Sequence, residues 1–234
     1  MGTPVGGVAQ IQQSRAARRW ARFWMRFAGY GAGGRLAMRL AAWFAPPHKD
    51  QVQLARLNKN GFIAPSAVIY HAQFQPGQNV YIGDRVIIYQ ARDGGPVQMG
   101  DRAAMLRDSI IETGRGGSVS IGDDVYIHPR CQMNAYLTSI TIGRGVMVAA
   151  NCVFYPHNHG VAAGQPIREQ PLETKGPIVI GENAWLGTGV VVLGGVTIGA
   201  GAVVGAGSVV TNSIPANGIA VGSPAQVVKM RESD

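Results

Sequence analysis

Toward the C-terminus a large aliphatic residue returns at every sixth position: Ile180, Leu186, Val192, Ile198, Val204 and Val210. The blocks IGENAW, LGTGVV, VLGGVT, IGAGAV, VGAGSV and VTNSIP follow without a gap. The same signature recurs upstream at Ile82 (IGDRVI), Met99 (MGDRAA), Ile121 (IGDDVY) and Ile142 (IGRGVM). A six-residue step matches neither a helix nor an ordinary alternating strand. It matches a solenoid in which the aliphatic points inward, the small fifth residue fills beside it, and glycine or a polar residue turns the corner. Anchors 82, 99, 121 and 142 are 17, 22 and 21 residues apart, and 180 and 198 are 18 apart. Three hexapeptides make 18 residues, so each of these anchors is expected to open one triangular coil, the longer spacings holding extra loops such as Gly114–Gly117. One coil cannot bury its core, whereas stacked coils bury a continuous one.

The pattern before residue 60 is different. Residues 15–29, RAARRWARFWMRFAG, carry the spacing of an amphipathic helix. At about 100° per residue Arg15, Arg18, Arg19, Arg22 and Arg26 share one side, and Trp20, Phe23, Trp24 and Phe27 occupy the opposite arc. Gly29–Gly34 breaks this helix, and a second one, RLAMRLAAWFA, is expected to end at Pro46-Pro47. The expected organisation is a helical arm over 1–57, a β-solenoid over 58–224 with an extruded loop near 156–176, and a tail over 225–234.

Charge sharpens the arm. Residues 1–50 hold eight Lys or Arg against one acid, while the remainder holds thirteen against twelve. The basicity therefore belongs to the arm and gives no support to nucleic-acid binding by the main domain. Two readings of the arm stay open: a hairpin that packs its aromatic face on the solenoid, or peripheral contact of residues 14–44 with an anionic membrane. No signal peptide and no run of ~20 apolar residues is visible, which leads to a cytoplasmic expectation, with attachment at the inner membrane face as its variant. Cys131 and Cys152 both take position five, in IHPRCQ and VAANCV, and are expected to be reduced, buried fillers.

The repeat stops at Val153–Pro171, VFYPHNHGVAAGQPIREQP, where two histidines appear one residue apart. His157 and His159 stand at the root of the long loop, where a rigid scaffold fixes their geometry. A neutral imidazole there suits a general base for a hydroxyl. Metal ligation and plain loop contacts are the other readings, and no zinc-type spacing accompanies the pair. Trp185 takes the outward sixth position of IGENAW, as a subunit contact, a ligand wall, or both.

The stretches IGRGVMVAANCVFYPHNHG and KGPIVIGENAWLGTGVVVLGGVTIGAGAVVGAGSVVTNSIPANGIAVGSPAQVVK resemble the hexapeptide-repeat O-acetyltransferases, notably the maltose and galactoside acetyltransferases and the sugar acetyltransferases of exopolysaccharide biosynthesis. Residues 1–60 lie outside this resemblance. It implies a left-handed parallel β-helix, acetyl-CoA as co-substrate with no metal, a sugar or glycan acceptor, and a homotrimer with sites between subunits. By position it puts the catalytic base on His159, with His157 second, and an acceptor-orienting asparagine on Asn134. It implies an acetyl-CoA groove along Trp185, Gly187 and Thr188, then Gly205 and Ala206, with Thr211 near the nucleotide end. Asn212 stands where that family often has lysine, so Lys229 or Arg231 would make the phosphate contact. Trp185 would also border the acceptor, and a backbone N–H at the Trp185–Gly187 corner would hold the oxyanion. A zinc lyase using His128 with His157 and His159, and a non-catalytic trimeric scaffold, are the rival readings.

Overall fold

The computed structural model describes residues 14–45 and 48–232; the expected helix stop at Pro46-Pro47 and residues 1–13 lie outside them. From Phe62 the chain winds as a triangular prism with three parallel β-faces. Among the described residues these faces have nine, seven and six strands, and a separate two-stranded ribbon stands beside them. Each coil runs from the six- to the nine- to the seven-stranded face, as Ile178–Ile180, Trp185–Leu186 and Val191–Leu193 do. The six downstream anchors Ile180, Leu186, Val192, Ile198, Val204 and Val210 are all buried, two on each face. This is the geometric content of the six-residue step: three anchors per coil converge on one apolar axis.

Upstream, one expectation fails. Ile82 and Met99 do not open successive coils, because Ile82 lies on the nine-stranded face beside Met105, whereas Met99 lies on the six-stranded face between Pro76 and Ile121. The 17-residue spacing runs between faces, and the coil through Met99 spans Pro76 to Met99. Met99, Ile121, Ile142, Ile180 and Ile198 do form one column.

Corners need left-handed backbone, and the chain supplies residues that tolerate it. Arg102 (φ 59°), Asp124 (φ 56°), Gly145 (φ 68°), Asn183 (φ 55°) and Gly201 (φ 66°) occupy equivalent corners of successive coils. Cys131 and Cys152 are free and buried, the Cys131 thiol donating to Ala149 O (3.2 Å) and the Cys152 thiol to Gly187 O (3.2 Å). Residues 225–234, expected as a tail, contain instead the strand Ala225–Met230, which pairs antiparallel with Gly218–Gly222 and closes the nine-stranded face.

The N-terminal end is covered by a hairpin of two helices, α1 (Arg15–Met25) and α2 (Ala32–Ala41), the second followed by a 3-10 turn at Ala42–Phe44. Ser14 caps α1, its Oγ accepting from Ala17 N at 3.1 Å. The hairpin docks through small residues and methionines: Ala21, Met25, Ala28, Ala37, Met38 and Ala41 are buried. Asn58 Nδ2 donates to Met25 O (2.7 Å), Asn60 Nδ2 to Ala28 O (2.8 Å), and Arg35 Nη2 to Ala64 O (3.2 Å) and Ala67 O (3.1 Å). Of the aromatic face, only Trp24 packs in part against the core, while Trp20, Phe23 and Phe27 stay exposed. Helix α1 has three sectors, and the one turned inward is the Ala-Met sector between the aromatics and the arginines.

Candidate active site

The edge between the seven- and six-stranded faces holds both histidines. Strand Gln132–Tyr136 pairs with Val153–Tyr155, and beyond Pro156 the chain leaves the prism. It does so as an antiparallel ribbon in which His157, Asn158 and His159 face Thr174, Glu173 and Leu172. The ribbon is anchored at its base by Thr174 Oγ1, which donates to Pro156 O at 2.6 Å. Its far end has no apolar core. It is held instead by the buried Gln170, whose Oε1 accepts from Ala162 N (2.7 Å) and whose Nε2 donates to Ala162 O and Gln165 O (both 3.0 Å). Nothing in the sequence pattern marked Gln170; only its neighbours in space give it a role.

His157 is half-buried between two tyrosines, its ring centroid 5.3 Å from that of Tyr136 and 5.8 Å from that of Tyr155. Burial lowers its pKa, and the charge of His159 adds to the effect; the Asn134 backbone and Glu112 push the other way. The net shift is downward, so the imidazole is neutral near pH 7. Tyr136 donates its hydroxyl to Glu112 Oε1 at 2.6 Å. Its pKa is pushed up to about 12 by burial, with the Glu112 carboxylate adding, so the phenol keeps its proton. Room for the ring comes from Gly114, where a Cβ would collide with the Tyr136 ring. His159, one step out on the ribbon, is exposed. Alternation along a strand puts His157 and His159 on the same side of the ribbon.

Asn134 sits on the same face, its backbone close enough to act on His157. The Asn134 Oδ1 and the His157 Nδ1 are both buried without a hydrogen-bond partner. Such groups cost ~1–3 kcal/mol each when left unmet. A cavity of about 420 Å³ opens along this edge, lined by Ala91, Arg92, Asp93, Arg115 and Tyr136. Tyr136 therefore separates the cavity from His157. Neither the cavity nor Tyr136 was singled out from the sequence, although the long spacings between coils placed loops there.

The residues expected to hold the cofactor lie elsewhere. Gly187 and Thr188 turn the corner between the nine- and seven-stranded faces, and Gly205 and Ala206 turn the same corner one coil on. The two corners stack closely, with Gly207 N donating to Thr188 O at 2.8 Å. A Cβ on Gly187 would lie 2.6 Å from Ala206 N, so glycine is required for that approach. Trp185 is 48% exposed and points outward, as expected. Its row continues through Val203 and Ile219 to Lys229, which brings Lys229 onto the same outer face three strands away. Thr211 is separate from this group: it follows Val210 at the end of the seven-stranded face, on the histidine edge. Arg231 is engaged with its own fold, Nη1 donating to Gly201 O at 2.7 Å. The expected oxyanion donor is also engaged, since Trp185 N donates to Ala202 O (2.9 Å) and Gly187 N to Val204 O (2.8 Å). His128 lies on the nine-stranded side, its ring on Tyr126 (centroids 5.2 Å apart), away from the other two histidines. Among the described residues no three His, Cys, Asp or Glu side chains gather as a metal site.

One copy therefore presents two half-sites on two edges of the prism: histidines, Asn134 and the cavity on one, and the glycine-lined corner with Trp185 near it on the other. Together with the six-residue step, this defines a β-solenoid of hexapeptide repeats with a histidine-bearing loop. The bacterial transferase hexapeptide family (six repeats) matches residues 177–212. The chain is 36% identical over 162 residues to the "Probable acetyltransferase Rv3034c" of Mycobacterium tuberculosis, an alignment covering 69% of this chain and 45% of that one. It is 31% identical over 156 residues to the galactoside O-acetyltransferase of Escherichia coli K12, covering 62% of this chain and 76% of the relative. A crystal structure of AntD, an N-acyltransferase from Bacillus cereus in complex with dTDP and coenzyme A, has the same fold with a TM-score of 0.55, at 20% identity over 74% of this chain and 82% of that one. This chain belongs to the hexapeptide-repeat transferase family. It spans about half the length of the first curated relatives it matches, 45% and 46%, and about three quarters of the galactoside O-acetyltransferase.

Proposed function

We propose that this protein transfers an acetyl group from acetyl-CoA to a hydroxyl of a sugar or glycan acceptor, in polysaccharide or glycolipid biosynthesis. The observation that carries the reading is the His157–His159 ribbon beside Asn134 and the cavity, on a chain whose relatives include a galactoside O-acetyltransferase. His159 is the exposed imidazole that meets the acceptor, and His157 is the neutral, tyrosine-packed neighbour that keeps positive charge out of the site. The acceptor lies along the cavity edge, and one of its hydroxyls donates to the unmet Asn134 Oδ1.

His159 takes the proton of the reacting hydroxyl as its oxygen attacks the thioester carbon. The tetrahedral intermediate collapses, the C–S bond breaks, and the proton passes to the departing CoA thiolate. The products are an acetyl ester and free CoA thiol, with no acyl-enzyme. Acetyl-CoA lies against the Gly187–Thr188 and Gly205–Ala206 corners, where the absence of bulky side chains lets its pantetheine arm approach the backbone. Trp185 forms a wall and Lys229 meets a phosphate. Holding both substrates in one cleft supplies much of the rate.

Because the two half-sites lie on different edges of one prism, a second copy completes the site. A closed threefold ring gives every histidine edge a glycine corner from its neighbour, so the working assembly is a homotrimer. The test is thiol release from acetyl-CoA across a panel of glycans, with wild type and His159→Ala compared. Release that needs both a glycan and His159 is the expected result. Equal turnover in His159→Ala would remove the histidine from the mechanism.

A further inference from the structure

The outer surface of the helical cap combines exposed aromatic rings with exposed arginines. Helix α1 divides into three sectors, of which the one with Ala21, Met25 and the following Ala28 turns toward the solenoid, with Trp24 partly buried beside it. Its two other sectors face outward. Arg15, Arg18, Arg19, Arg22 and Arg26 are exposed along one, and Trp20, Phe23 and Phe27 along the other, with Trp24 at its inner margin. The aromatic sector is extended by the turn after α2, where Trp43 is 69% and Phe44 55% exposed. Five of these rings form one cluster: Trp20 contacts Trp24 and Phe44 (centroids 5.7 Å in both cases), Phe23 contacts Trp24 (5.3 Å), and Phe23 contacts Phe27 (5.6 Å).

This cap buries Met25 and Met38 at 0% exposure yet leaves the larger rings of Phe23 and Phe27 at 50% and 58%. Residues 14–45 contain seven arginines and no Asp or Glu. Arg35 donates to the Ala64 and Ala67 carbonyls, whereas Arg15, Arg19, Arg22, Arg26 and Arg39 are exposed. Aromatic rings beside exposed arginines, on a segment with no Asp or Glu of its own, are complementary to an anionic lipid surface: the rings enter the headgroup boundary and the guanidinium groups meet phosphate.

We infer that the outer face of the α1–α2 cap is a docking surface for an anionic bilayer, with Trp20, Phe23, Phe27, Trp43 and Phe44 inserted and the flanking arginines on the headgroups. The position of the cap favours lipid over a further protein copy. It closes one end of the prism, whereas the faces and edges assigned above to subunit contact run along its length. In the three-copy ring proposed above, the threefold axis parallels the prism, so the three caps face one plane and their weak contacts multiply. The docking inference needs no catalysis and stands apart from the reading of the histidine edge.

The experiment is co-sedimentation of the whole protein with phosphatidylcholine vesicles and with vesicles containing phosphatidylserine, at low and high salt, with cap tryptophan fluorescence as a second readout. Wild type is expected to pellet with the phosphatidylserine vesicles at low salt, with a blue shift, and to be released by salt. Phe23→Ser with Phe27→Ser, and Arg15→Gln with Arg19→Gln and Arg22→Gln, are each expected to weaken binding at least tenfold. Both variants should keep the wild-type melting temperature, since the altered side chains are exposed. Wild type that stays in the supernatant overturns the inference, as does binding that both variants retain. Binding to duplex DNA without binding to vesicles, or loss of oligomer size in the phenylalanine variant without vesicle binding, overturns it too.

Discussion

The ring of Tyr136 packs on the ring of His157 at 5.3 Å while its hydroxyl donates to Glu112 at 2.6 Å, so one side chain ties the histidine ribbon to the wall of the solenoid. Tyr136→Phe keeps the ring contact and removes the hydrogen bond. The expected result is a stability loss of about 1 kcal/mol, read by urea unfolding, together with a raised KM for the acceptor and an unchanged KM for acetyl-CoA. Tyr136→Ala removes the wall as well and should lower turnover too.

The two histidines should separate in kinetics. His159→Ala is expected to lower turnover by roughly 10²–10⁴-fold, the range of a general base, while calorimetry shows acetyl-CoA still binding. His157→Ala should lower turnover less and change its pH dependence. Equal losses in both variants, with identical pH profiles, would contradict the division of roles.

Acid should destabilise the fold through its half-buried imidazoles. His71, His128 and His157 all have pKa values lowered from 6.5, with burial the largest cause in each. The unfolded chain then binds more protons than the native one below pH ~6.5, so stability rises with pH across that window. It is fully present above 6.5 and is lost as pH falls through the lower folded values. The melting temperature should drop between pH 7.5 and 5.5, and His157→Gln should flatten part of that slope.

Gln170 is the polar substitute for a loop core. Gln170→Ala removes its three hydrogen bonds and should open the loop without unfolding the prism. Limited proteolysis should cut between residues 160 and 172 at least tenfold faster than in wild type, with the main thermal transition unmoved. A large drop in melting temperature would show instead that the loop supports the solenoid.

Gly187 tests the stacked corners. Gly187→Ala forces a Cβ toward Ala206 N, 2.6 Å away, and an overpacked site of this kind costs ~1–3 kcal/mol. Reduced stability with weakened acetyl-CoA binding, both read by calorimetry, is the expected outcome. Thr188→Ala, whose side chain is exposed, should affect binding alone.

The sequence by itself determined the solenoid, because its six-residue step is a local rule: every anchor from Ile180 to Val210 must reach the same axis whatever the rest of the chain does. It also marked the histidine pair, because a broken period is visible without any partner in space. Face membership was different. Ile82 and Met99 carry the same hexapeptide signature yet lie on different faces, since loops of unequal length reset the phase and only strand pairing fixes it. The aromatic and arginine arcs of α1 were legible at 100° per residue, but not which arc turned inward. That was decided by the end of the prism, which accepts the flat Ala-Met surface and leaves the rings outside. The tertiary structure alone brought Tyr136 to His157, and placed the glycine corner on another edge from the histidines. Contacts between residues far apart in sequence are set by how coils stack, and no local pattern encodes that.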